Sequence, residues 1–100
     1  MRMLVHAQMP NDLFNTAVRN GTAGSTIERI LGELKPEAVY FTEWEGQRSG
    51  FLILDVADPS KIPSIAEPFF LAFNARVTFH PVMTPEDLGR AGLDALGKKW

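Results

Sequence analysis

The chain has 100 residues, 45% of them hydrophobic and 22% charged, a profile of one globular domain rather than a disordered or fibrous chain. Ten Lys and Arg against twelve Asp and Glu give a net charge of −2, without the basic stripe that a nucleic-acid partner requires. No cysteine is present, so disulfides, thiol catalysis and cysteine metal sites are excluded, and two histidines are too few for a His-rich metal centre.

Residues 2–8 alternate apolar and polar side chains, as a half-buried strand does. Asn11 then stands where a helix cap belongs, with Leu13, Phe14, Ala17 and Val18 as the apolar stripe of a helix running to Arg19. The segment 20–24 breaks it. Ser25 and Glu28 have capping-box spacing, and Ile27, Ile30, Leu31 and Leu34 recur at helical intervals until Pro36. The glycines before this helix lack the lysine of a phosphate loop and follow no strand, so they read as a helix break.

Residues 38–44 are rich in strand formers, a turn over 45–49 contains Gly46, and residues 50–57 form the return strand of a hairpin. Asp58, Pro59 and Ser60 open the next helix, whose broad apolar face includes Ile62, Ile65, Phe69 and Phe73, with Pro68 expected to kink it. A fourth strand spans 75–82. Thr84, Pro85, Glu86 and Asp87 supply a cap, an N1 proline and two acids for one last helix carrying Leu88, Ala91, Leu93 and Leu96.

This order predicts an α+β domain over 1–100 of the ferredoxin-like βαββαβ kind: a four-stranded antiparallel sheet with helices on one face, plus a C-terminal helix. Because successive strand residues point to opposite faces, each strand splits into two sets. Met3, Val5, Ala7, Val39, Phe41, Leu52, Leu54, Val56, Val77 and Phe79 form a wholly apolar face for the helices. The opposite set mixes Leu4, Tyr40, Trp44, Phe51 and Ile53 with His6, Asp55, Arg76 and His80. Such a face stays dry by pairing with a second sheet, so a homodimer enclosing a partly polar interior is expected.

Trp44 and Gly46 ahead of the hairpin return, the strand from Phe51 to Val56, the helix start at Asp58, Pro59 and Ser60, the trio Pro68, Phe69 and Phe70, and His80 with Pro81 together resemble the dimeric α+β barrel proteins. Within that superfamily the similarity is to the small muconolactone isomerase-like chains, over roughly residues 3–82. The resemblance implies dimers or larger assemblies that hold small, often aromatic or lactone ligands beside the sheet. It transfers no catalytic set, because none maps onto these positions.

From the residues themselves, His6 with Asp55 is the sharpest chemical pairing. An Asp on one ring nitrogen fixes the tautomer and leaves the other nitrogen as a base near neutral pH. The alternative is a satisfied polar pair inside a dimer. Arg76 suits a carboxylate ligand through its planar fork, or a salt bridge to Asp55 or Glu43. Tyr40, Trp44 and Phe51 suit a flat ligand or a subunit interface, and His80 its rim.

Two functions follow as expectations. One is a cytoplasmic homodimer that binds a small apolar or aromatic acid and acts as a cofactor-free isomerase- or lyase-like enzyme, with His6 and Asp55 catalytic and Arg76, Tyr40, Trp44, His80 and Phe51 holding substrate. The other is a non-catalytic oligomeric accessory module whose polar sheet face is only an interface. No apolar run reaches the roughly 18 residues of a membrane span, and neither a membrane nor a nucleic acid is expected as partner.

Overall fold

The computed structural model describes residues 1–100. In chain order the elements are β1 (Arg2–Met9), α1 (Asn11–Arg19), α2 (Ala23–Leu34), β2 (Ala38–Trp44), β3 (Gln47–Asp55), a 3-10 turn (Pro59–Lys61), α3 (Ile62–Phe73), β4 (Arg76–Pro81), α4 (Pro85–Gly89) and α5 (Leu93–Lys99). The strands form one antiparallel sheet in the order β2-β3-β1-β4. This α+β arrangement is compatible with a ferredoxin-like plan. The single sheet is open, with β2 and β4 as its edges, and does not close into a barrel.

The two-face partition follows from strand alternation. Met3, Val5, Ala7 and Met9 of β1 are buried, as are Leu52 and Leu54 of β3 and Val56 just beyond it. They pack under Phe14, Ile30, Ile65, Phe69 and Phe73 from the helices, so the core lies between the sheet and one helical layer. Tyr40 is 71% exposed and Trp44 50% exposed, and the opposite face carries no helix. Phe41 departs from the expected pattern. It points to the helix side yet is 54% exposed, lying over Gly50 beyond the part of β2 where Val39 packs against the core.

Several local expectations change. Asn11 does not cap α1; Pro10 takes the cap position. The Asn11 side chain accepts from the Arg48 amide at 3.1 Å and donates to the Gly46 carbonyl at 2.8 Å, tying the hairpin to the start of α1. The Ser25–Glu28 capping box is absent, since the cap position falls three residues earlier, at Thr22, and the hydroxyls of Ser25 and Thr26 donate to the Thr22 carbonyl. The hairpin turn is only Glu45 and Gly46, both at positive φ (53° and 78°), the pattern of a type I′ turn that suits strand twist. Pro68 lies inside α3.

Thr84 and Asp87 do form a capping box. The single tail helix becomes two short ones, because Gly92 enters the left-handed region at φ 73° and breaks the helix there. No residue of α4 or α5 is buried.

Leu52 is 1% exposed at the centre of this core. Leu52→Ala is expected to lower unfolding stability by about 2–5 kcal/mol in urea denaturation, through lost burial and the cavity left behind. A loss below about 1 kcal/mol would contradict the placement of the core.

Candidate functional site

β1 lies between β3 and β4, so its outward residues meet side chains from both neighbours. His6 stands opposite Phe51 on β3 and Thr78 on β4; Gln8 stands opposite Ser49 and Arg76; Leu4 stands opposite Ile53 and His80. The register gathers His6, Phe51, Trp44, Arg76, Thr78 and Gln8 at one end of the open face, near the β2–β3 turn.

The His6 ring stacks on Phe51 with centroids 4.2 Å apart and planes at 9°. Trp44 stands edge-on to both rings, 5.7 Å from His6 and 5.5 Å from Phe51. Gln8 donates to the Trp44 carbonyl at 2.9 Å, joining the central strand to the hairpin end. The Gly46 amide donates to Glu43 at 3.0 Å and holds the turn shut. His6, Gln8, Trp44, Glu45, Arg76 and Thr78 line a depression of about 150 Å³.

Two buried polar atoms in the molecule lack a hydrogen-bond partner, His6 Nε2 and Ser49 Oγ. Alternation along β1 and β3 places both residues on this face. An unpaired buried polar atom costs about 1–3 kcal/mol, so the concentration of two in one place marks a region not optimised for the isolated chain.

Burial pushes the His6 imidazole below its ordinary value of 6.5. The nearby positive charges of His80 and Arg76 add to that shift, while Glu45 opposes it. The ring is therefore neutral at neutral pH and keeps a lone pair that can take a proton.

Asp55 is not part of this cluster. It stands opposite Arg2, four residues along β3 from the partner of His6, a separation of about 13 Å at strand rise. Its carboxylate accepts from the amino group of Met1 at 3.0 Å. No His6–Asp55 pair exists within the chain, and no Arg76 salt bridge to Asp55 or Glu43 forms. The reason is register: a shift of four keeps both residues on the expected face while moving them apart.

His80 sits further along β4, its Nε2 3.3 Å from the Thr78 hydroxyl. Tyr40 lies opposite Phe51 across the β2–β3 pair and is open to solvent. Sequence reading places Thr78 beside His6, as the register does, but singles out neither Glu45 nor Ser49. Gln8 and Thr78 are legible from strand parity, whereas Glu45 and Ser49 required the short turn that fixes their position. No group of three or more His, Asp or Glu is placed to hold a metal ion.

No known family model matches the chain, and no curated protein is detectably similar to it. The fold defines its class as a small α+β protein with a four-stranded antiparallel sheet. No helix is long and apolar enough to cross a membrane.

The His6 shift has a consequence for stability. With the folded value lowered, the unfolded chain binds more protons between that value and the ordinary one, so stability rises with pH through this window and is lost as pH falls through it. Melting curves at about pH 7.5 and about pH 5.5 are expected to show an acid-side drop in Tm. His6→Phe, which retains an aromatic stack on Phe51, should shrink that drop; an unchanged drop would assign it to other groups.

Proposed function

We propose that the protein is a homodimer of the dimeric α+β barrel kind, its two open sheet faces meeting, and that the enclosed space binds a small apolar or aromatic acid. The observation that carries this reading is the cluster of Arg76 and a neutral, partly desolvated His6 beside Phe51 and Trp44 on a face no helix covers. Large rings supply the apolar contact of a ligand pocket, and a few convergent polar groups orient the ligand. Arg76 suits the carboxylate through paired N–H donors.

The chemistry that fits is a cofactor-free proton shift of the isomerase or lyase kind. Neutral His6 takes a proton from a carbon near the bound carboxylate; in an isomerisation the resulting imidazolium returns it at another carbon. Tyr40 and His80 stand on the same face, as further ligand contacts across the enclosed space. Asp55 has no part in this scheme, since the register sets it opposite Arg2, away from His6.

The smallness of the depression, about 150 Å³ in the single chain, favours a second reading in which the same face serves only as a subunit interface. Native mass spectrometry of the purified protein separates the two. The pocket reading expects a dimer carrying a co-purified small acid, with Arg76→Ala remaining dimeric and losing that molecule. His6→Ala should keep the dimer and abolish turnover. A ligand-free dimer that Arg76→Ala or Trp44→Ala shifts toward monomer would overturn the pocket and leave the interface module.

A further inference from the structure

Two opposite charges line the open-face depression without meeting. Arg76 reaches it from β4 and Glu45 from the β2–β3 turn, while His6 and Gln8 belong to β1, which lies between. The ion pairs of the chain join Met1 to Asp55, Arg2 to Glu37 and Arg90 to Asp87, and none joins Arg76 to Glu45. The side-chain hydrogen bonds around the depression belong to other groups. Gln8 donates to the Trp44 carbonyl, the Gly46 amide donates to Glu43, and His80 pairs with Thr78.

Glu45 is also an unusual residue for its position. It takes φ 53° as the first central residue of a type I′ turn, where Asn, Asp or Gly tolerates the left-handed backbone better. Its carboxylate gives the turn nothing in return, since the Gly46 amide is bonded to Glu43 instead. Strain kept at a residue with no local use, beside a depression its side chain lines, points to a ligand contact.

The two charges discriminate among acids. A simple carboxylate held by Arg76 would enter a space of about 150 Å³ already lined by the carboxylate of Glu45, and like charges at close range repel. An ammonium on the same ligand turns that repulsion into a second ion pair. After burial and His80, Glu45 and Arg76 are the charges His6 feels, the first raising and the second lowering its pKa, so both act on the same ring. Closing the face in a dimer would strip water from both charges. An unpaired charge there is costly, whereas a ligand bearing both signs satisfies the two at once.

We propose that the site takes a zwitterion, an α-amino acid with an aromatic or apolar side chain, its carboxylate on Arg76, its ammonium on Glu45 and its side chain beside Trp44. This rests on the acid-binding reading of the preceding subsection and adds the second charge of the ligand. Glu45 becomes the residue that decides which acids bind.

Isothermal titration calorimetry at about pH 7, where carboxylates are ionised and amines protonated, tests it with three probes that share a phenyl ring. They are L-phenylalanine, hydrocinnamate, which lacks the ammonium, and phenethylamine, which lacks the carboxylate. Phenylalanine is expected to bind at least about tenfold more tightly than either, as one charged hydrogen bond provides. Glu45→Asn suits the turn better, so it should melt no lower than the parent while bringing phenylalanine and hydrocinnamate to within about twofold of each other. Arg76→Ala should lose both acids.

Hydrocinnamate binding as tightly as phenylalanine, or a preference that survives Glu45→Asn, would overturn the zwitterion and leave the acid pocket standing. Phenethylamine binding as tightly as phenylalanine, or binding by none of the three, would overturn both. Sedimentation velocity on the same variants reads the competing arrangement. If the parent shows no preference and Glu45→Asn shifts a dimer toward monomer, the two charges pair between copies and the zwitterion site is overturned.

Discussion

The structure depends on the alternation along β1. Met3, Val5, Ala7 and Met9 are buried beneath the helices, while Leu4, His6 and Gln8 face the other way. Because β1 is hydrogen-bonded on both sides, to β3 and to β4, its parity is imposed on every other strand. A slip of one residue would expose Val5 and Ala7 and drive His6 into the apolar layer. The cost of burying an unpaired imidazole in place of two aliphatic contacts pins the parity firmly.

With one face committed to the helices, His6, Arg76 and the rings of Phe51 and Trp44 fall on the other. The ring of His6 is held by packing rather than by hydrogen bonds, sandwiched on Phe51 and edged by Trp44. That environment strips water from the imidazole and, with His80 and Arg76 nearby, holds it neutral. A neutral base beside a permanent cation is an arrangement suited to anionic ligands: the cation attracts the charge and the base remains free to accept a proton. The same desolvation leaves His6 Nε2 and Ser49 Oγ unpartnered, a cost the fold carries at the site rather than in its core.

The helical layer has its own economy. Three helices, α1, α2 and α3, pack on one side of the sheet, and on the edge strand β2 Val39 meets that core while the strand beyond it is exposed. Phe41 is left half-uncovered at that edge, and the tail that follows β4 runs away from the body instead of folding back over it. The turn of Glu45 and Gly46 is tied by hydrogen bonds at this end of the sheet. Asn11 bridges it to the first helix through Gly46 and Arg48, and Arg48 in turn bonds Asn15 at 2.8 Å and lies over the Phe14 ring. The hairpin end of the sheet is thus held in place by α1, which is what keeps Trp44 beside His6.

The sequence by itself determined the elements and the faces. Period-two alternation and period-3.6 stripes are local properties, so the strands at 38–44 and 2–8, the helix stop before Pro36, the cap at Thr84 and the membership of each sheet face were legible from residue types alone. What only the tertiary structure decided was which residues stand opposite one another. Parity survives any even shift, so His6 and Asp55 are on one face either way; whether they touch depends on the register. The β1–β3 register puts Phe51 opposite His6 and Asp55 opposite Arg2, and the two-residue turn at positive φ aligns β2 with that strand. The tail followed the same logic. Its cap and its leucines were readable one by one, but Gly92 divided it, and whether those leucines would be covered was a matter of tertiary packing, which leaves them exposed.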